Sequence, residues 1–305
     1  LYGLSFNTRF GTFVYWNKQL FQQAGLQPPP VDWEDKSWTW DKMVEAAQKI
    51  TATGQAFGIN FGAQPGLWGL AYLFGGDFFK KEQYEKGIAK ESNIGSPEVL
   101  AGVSARADLH NKLRVAPHSA DITAAGAKNS TDMFSLGKLA MLFDTGSEWP
   151  TIDKGAKIDW AVAAVPRAKD NKVVNFLNPL MLSKESKNKD GAWAFMKWNV
   201  SEAGQRLLVK NSFQPVHKAL LDEWLSGGSF KQSQADVRKA IDGAAPHDQI
   251  SPNQLFADFA QVRTEVDNAL GPVWQGDKSA ADGLRDAKTK VDALLADTYS
   301  RYGGK

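Results

Sequence analysis

Tyr15-Trp16-Asn17-Lys18-Gln19-Leu20-Phe21, followed by Ala24-Gly25-Leu26, Pro28-Pro29-Pro30 and Ser37-Trp38-Thr39-Trp40-Asp41, is the stretch that decides the fold. The apolar run from Phe10 to Trp16 reads as a buried strand. Asn17 is placed to cap a short helix that Gly25 stops, because an Asn side chain can accept a helix-end N–H and glycine tolerates the left-handed turn beyond it. The three prolines form a stiff extended connector. Thr39 then caps a second helix. Met43, Ala46, Ala47 and Ile50 fall on one face of it at helical spacing, and Gly54 ends it.

Outward from this stretch, the order is strand and helix in alternation. Phe57 to Ala63 reads as a strand, and Pro65 opens a helix from Leu67 to Phe74 that Gly75-Gly76 ends. Ser96-Pro97-Glu98 is a helix start with cap, first-turn proline and an acid near the positive helix end. Met133 to Lys138 ends a helix and leads into a strand from Leu139 to Phe143. A Gly146-Ser147 turn and a short helix from about Glu148 follow. Ile158 to Val165 is an apolar strand. Val173 to Phe176 and Leu180 to Leu182 have strand character, interrupted by Asn178-Pro179. Asn188 starts a helix expected to turn Ala192, Phe195 and Met196 inward, and Ala203 to Val209 continues it. From Ala219 the chain reads as almost wholly helical, with Pro252 to Leu270 and Ala280 to Tyr299 the clearest elements. Strands alternating with helices, then helices alone, give an α/β class.

Composition narrows the function. A chain of 305 residues, 43% hydrophobic and 23% charged, can bury substantial cores. A net charge of +2 with no basic run is no footprint for nucleic acid. No stretch approaches the ~18 apolar residues of a membrane span. The absence of cysteine excludes disulfides, thiolate metal sites and cysteine nucleophiles within these residues. His110, His118, His217 and His247 have no ligand spacing, and no acidic loop pattern occurs, so neither a metal nor a cofactor is expected. No hydrolase elbow, phosphate loop or dinucleotide fingerprint is present. The 11 tryptophans are the outlier. Most are expected in cores, with two or three left to stack a flat ligand.

Taken in order, these segments resemble the extracellular solute-binding proteins of ABC importers, in particular the carbohydrate-binding family that includes maltose-binding protein. The opening stretch is similar to that family's strand, Tyr-Asn-Lys-x-Leu-Phe, x-Ala-Gly-Leu, Pro and Thr-Trp-Asp-Glu-Leu. Phe134 to Met141 resembles its Phe-x-x-Gly-Lys-x-Ala-Met signature, and Gly146-Ser147-Glu148-Trp149 its Gly-x-Trp turn with one insertion. Leu182 to Asn188, Ala192-Trp193-Ala194-Phe195, Gln214-Pro215-Val216 and Ser279 to Leu295 follow the family's order. No single motif is specific; their order and spacing are.

The resemblance implies a periplasmic-binding-protein-like two-lobed α/β fold with hinge-crossing strands and a helical C-terminal part. Mapped onto this chain, 1–160 and 217–305 form the larger lobe and 161–216 part of the other. The family places an upstream segment of roughly a hundred residues in that second lobe, by domain-size expectation. Without it, 161–216 is expected to expose strand edges and apolar helix faces. The implied function is non-enzymatic capture of a sugar or oligosaccharide between the lobes and delivery to an ABC permease. The implied location is the periplasm or cell exterior, with no nucleic-acid partner.

Sugars present apolar faces and hydroxyl rims, so a site needs flat aromatics plus a few fixed polar groups. Trp68, Trp149 and Phe259 are the aromatic candidates, each also readable as core. Asn7, Arg9, Gly146, Glu148 and Asn178 are the polar and backbone candidates. Asn178 stands where the family usually has glycines. Asp144 and Glu148, four apart across the turn, read as helix capping, as hydroxyl recognition or as a glycosidase acid pair. The first reading weighs most and the last least. The alternatives are therefore a carbohydrate-active enzyme using that pair, or a receptor for a polyamine or phosphate ester.

Overall fold

The computed structural model describes residues 3–9, 11–62, 68–211, 213–227, 233–252 and 259–302. Two strands open the chain, β1 (Gly3–Arg9) and β2 (Thr12–Asn17), then helices α1 (Lys18–Gln23) and α2 (Trp40–Thr51), and strand β3 (Phe57–Phe61). Helices α3 (Trp68–Leu73), α4 (Lys81–Lys86), α5 (Pro97–Asn111), α6 (Ser119–Ala124) and α7 (Ser130–Ser135) lead to β4 (Leu139–Thr145). After a 3-10 turn come α8 (Trp149–Gly155), β5 (Trp160–Ala163), β6 (Val173–Met181), α9 (Lys189–Asn199) and α10 (Glu202–Lys210). The remainder is α11 (Leu221–Gly227), α12 (Gln234–Ala244), β7 (Asp248–Ile250), α13 (Phe259–Gln275) and α14 (Ala280–Tyr302).

Local chemistry sets many of these boundaries. Asn17 Oδ1 accepts from the Gln19 and Leu20 N–H groups, Thr39 caps α2 through the Lys42 N–H, and Ser96 caps α5 through the Val99 N–H. Met43, Ala46, Ala47 and Ile50 are the buried face of α2, as their spacing predicts. The strands form two sheets. The larger has the order β3-β4-β2-β5, with β3 parallel to β4 and β2 antiparallel to both β4 and β5. The smaller has the order β1-β6-β7.

The core of the larger sheet takes in Phe13, Tyr15, Met43, Ile59, Phe143, Trp149, Trp160 and, from far along the chain, Trp224 and Ile241. A second core lies among α3, α5, α13 and α14, centred on Val103, Val266, Leu270 and Val291. Among the described residues six tryptophans are buried: Trp16, Trp33, Trp38, Trp149, Trp160 and Trp224. Trp33 and Trp38 also donate from their indole nitrogens to Ala240 and Ala164 carbonyls, at 3.1 and 3.0 Å. The tryptophan excess is thus largely a packing device in which the polar edge of the ring is also used.

The pairing places three segments differently from the mapping by resemblance. β1 hydrogen-bonds to β6, so 3–9 belong to the smaller sheet, not to the larger lobe with the rest of 1–160. β5 pairs with β2 through Trp160–Ala163, so the larger sheet extends past residue 160. β7 pairs with β6 and carries 248–250 into the smaller sheet. Asn178-Pro179 does not interrupt β6. Between Ser5↔Pro179 and Asn7↔Asn178 the register shifts by one residue on β1, a bulge at the place where proline has no N–H to give.

Consecutive strands lie in different sheets at β1 to β2 and at β5 to β6, and α12, which packs on the larger sheet's core, leads through 244–248 into β7 of the smaller one. Gln205, fully buried, binds the smaller part together. Its amide nitrogen donates to the Phe6 and Asn199 carbonyls, each at 2.8 Å, and its oxygen accepts from the Val216 N–H at 2.7 Å.

Phe195, expected inward on α9, is 58% exposed, while Met196 is buried. Trp193 and Trp198 on the same helix are 38% and 45% exposed, and Met181, Leu207 and Phe213 are exposed nearby in sequence. These side chains form an apolar surface on β6, α9 and α10.

Candidate functional site

In open α/β sheets, ligands meet the crevice outside the carboxyl ends of the parallel strands, where side chains and loop backbone converge. Here that edge is formed by the ends of β3 and β4 and the start of β2. β4 runs into Thr145-Gly146-Ser147-Glu148, and β2 is entered through Gly11, which has φ +54°. The Gly146 N–H donates to the Gly11 carbonyl at 3.4 Å, so the turn rests on the crossing between sheets.

Hydroxyls and carboxylates crowd this edge. Thr145 and Ser147 share a hydrogen bond between their hydroxyls at 2.7 Å. The Thr131 hydroxyl of α7 donates to Glu148 Oε2 at 3.4 Å, and Glu148 is half-buried. The Asp144 side chain, 4% exposed, accepts from the Thr145 N–H at 2.7 Å. Its carboxyl lies where a Cβ on residue 62 would be, which is why glycine stands at Gly62. The Tyr15 hydroxyl donates to the Thr145 carbonyl at 2.7 Å. Burial, and then the charges of Asp144 and Glu148, hold the Tyr15 phenol well above the usual range, so it stays a donor.

Beside the end of β3, Arg106 of α5 has its guanidinium 4.2 Å from the centre of the Trp274 ring and 5.2 Å from that of Phe61. Burial lowers its pKa to about 10, against the pull of Asp267. It remains a cation at neutral pH.

Seven of the eight candidates fall into four groups, and Trp149 stands apart from them. Gly146 and Glu148 sit on the turn at the sheet edge. Asn7 and Asn178 face one another across β1 and β6, with Asn178 Nδ2 donating to Asn7 Oδ1 at 2.6 Å, in the smaller sheet. Phe259 is half-buried at the start of α13, against the second core. Arg9 ends β1 and Trp68 begins α3, but the side chains of both lie outside the described residues.

Trp149 does not present a face to solvent. It is 1% exposed, tilted against Phe13 at 5.1 Å and stacked on Trp224 at 6.0 Å. The motif reading missed Thr131, Thr145, Ser147 and Arg106. Thr145 and Ser147 flank the glycine of the turn, which was a usable signal. Thr131 and Arg106 arrive from other helices and carry none.

A family model described as bacterial extracellular solute-binding protein matches residues 2–206. The sn-glycerol-3-phosphate-binding periplasmic protein of Escherichia coli K12 is 25% identical over 298 residues, covering 92% of this chain and 64% of that protein. The protein of the same description from Yersinia pseudotuberculosis is 23% identical over 294 residues, with the same shares covered. The chain therefore spans just under two thirds of the length of these relatives.

Among solved structures, an ABC substrate-binding protein of Listeria monocytogenes in complex with cycloalternan superposes with a TM-score of 0.80 at 21% identity, covering 96% of this chain and 71% of that one. A Mycobacterium tuberculosis protein in complex with glycerophosphocholine gives 0.72 at 16%, covering 95% and 70%. The fold is thus that of the two-lobed periplasmic binding proteins.

Proposed function

This chain belongs to the bacterial extracellular solute-binding proteins, and we propose that it acts as the receptor of an ABC importer, capturing a sugar or oligosaccharide at the edge of the larger sheet. The observation that carries the reading is the turn after β4. Thr131, Ser147 and Glu148 gather hydroxyl and carboxylate groups there, with the fully buried Thr145 holding the Ser147 hydroxyl from beneath, next to a backbone crossing between two sheets. Such groups exchange hydrogen bonds with a polyol rim, and a ligand that also touches the smaller part favours closure by its differential affinity for the closed form. Working outside the cytoplasm and handing the ligand to a permease belong to this proposal. Among the described residues no helix is long and apolar enough to cross a membrane.

A second reading, a glycerol phosphate ester, is favoured by the names of the curated relatives and by Arg106 beside the end of β3. Asp144 and Glu148 weigh against it at the turn itself, since two carboxylates repel a phosphate. A glycosidase role for that pair is weaker still, because Asp144 is covered and held by the Thr145 N–H.

Thermal unfolding with maltose, maltotetraose, cycloalternan and sn-glycerol 3-phosphate separates the readings. A carbohydrate should raise Tm. Glu148→Gln should weaken its binding 10- to 100-fold, the effect of about 1.5–3 kcal/mol for a hydrogen bond to a charged group. A shift with glycerol phosphate alone sinks the sugar reading, and release of product from a chromogenic glycoside, abolished by Glu148→Gln, sinks the receptor reading.

A further inference from the structure

The crossing at 244–248 holds an unusual pair of side chains. β7 lies parallel to β6 with Val173 opposite Asp248 and Asn175 opposite Ile250. Asn175 Nδ2 donates to Asp248 Oδ2 at 2.9 Å. Two further acceptors, Asp248 Oδ1 and Asn175 Oδ1, are buried and have no hydrogen-bond donor among the described residues. A buried acceptor without a donor is costly, and here two occur in one bonded pair. Both lone oxygens are explained by one missing donor, a proton on the carboxyl. A carboxylic acid and a carboxamide complement each other: the amide N–H donates to one acid oxygen and the acid O–H donates to the amide oxygen.

The pair also sits against the crossing. Gly11 lies beside it in the left-handed region, φ +54°, which favours glycine, and a Cβ there would lie 3.5 Å from Asp248 Oδ1 and 3.0 Å from the Ala244 side chain. Gly11 in turn accepts from the Gly146 N–H of the candidate site.

We propose that Asp248 is protonated and shares its proton with Asn175, locking β7 to β6 at the crossing, and that loss of the proton unlocks this junction. The proposal concerns the crossing and stands whatever ligand the site takes. Burial pushes the Asp248 carboxyl up to about 7, against the pull of the Asn175 N–H, which places the change within the physiological range.

On the elements packed here Lys239 pairs with Asp32, and Asp236 stands in the first turn of α12. His247 is 3.2 Å from Glu34 and stacked on Trp33, Lys172 pairs with Asp170, and Arg238 pairs with Asp242. Arg9 precedes the crossing on β1, its side chain outside the described residues.

The sign follows from linkage. A carboxyl whose folded pKa lies above its unfolded one holds its proton more tightly when folded. Its favourable contribution is full below about 4, falls as pH rises through 7, and is gone above.

Carboxyl-carbon NMR of the unmodified protein tests this. One aspartate should titrate near pH 7, and that signal should be missing in Asp248→Asn, whose Tm should also lose the wild-type decline between pH 5 and 8. Asn175→Ala removes the oxygen that accepts the shared proton together with the N–H that favours the charged form; with the first outweighing the second, the same titration should move downward. If every aspartate titrates below pH 5, or if Asn175→Ala leaves the midpoint where it was or raises it, the shared proton is wrong. Should Asp248→Asn fail to fold, the wild-type and Asn175→Ala titrations decide alone.

Discussion

Trp149→Ala is expected to destabilise the protein by about 3–5 kcal/mol, the cost of emptying a core position of an aromatic side chain. The indole sits at the start of α8, 1% exposed, with Phe13 at 5.1 Å, Trp224 at 6.0 Å and Tyr15 at 6.4 Å. Trp224 comes from α11, so the ring joins the end of β4 to a helix 75 residues further on. Its removal leaves a cavity lined by rings that cannot collapse together, because β2 and α11 hold them apart. Trp149→Phe keeps part of the contact and should cost less. Urea unfolding followed by far-UV circular dichroism measures both. A loss below 1 kcal/mol, accompanied by selective loss of ligand binding, would move Trp149 out of the core and into the site.

The second large effect concerns the apolar face of α9. Trp193, Phe195 and Trp198 are all substantially exposed in these 305 residues, with Phe195 and Trp198 stacked at 6.5 Å. Replacing the three by Ser, Gln and Gln should change the stability of this chain by no more than about 0.5 kcal/mol per site, and should reduce its self-association.

We propose that further polypeptide completes the smaller lobe and covers this face, as the unmatched third of the relatives' length suggests. In a gene product containing it, the same substitutions should cost roughly 5–9 kcal/mol if the sites add, at about 1.5–3 kcal/mol for each buried aromatic. Denaturant unfolding of the two lengths side by side reads the difference. Equal, small effects in both would mean that nothing covers α9.

Legibility followed the range of the forces involved. The caps at Asn17, Thr39 and Ser96 and the left-handed glycines Gly25 and Gly54 act over a few residues, and the sequence shows them directly. The continuity of β6 through Pro179 was not legible, because it depends on a bulge in β1 more than 170 residues earlier. An aromatic after a glycine turn is ambiguous until its neighbours are known, and the neighbours of Trp149 are set by β2 and α11. At the site, the turn at 145–148 was visible as a motif, whereas Thr131 and Arg106 reach it from other helices. Asn175 and Asp248 are 73 residues apart and meet only through parallel pairing of β6 and β7.

The central claim is capture of a carbohydrate by movement of two linked parts about the crossings. With no native cysteine, fluorophores can be placed on Lys49→Cys in α2 and Lys184→Cys beyond β6, both exposed positions. Energy transfer between them, measured in the full gene product as maltotetraose or cycloalternan is titrated, should change saturably, and Glu148→Gln should shift the midpoint at least tenfold. Unchanged transfer at every concentration of both sugars, in a protein that unfolds cooperatively, would contradict the account.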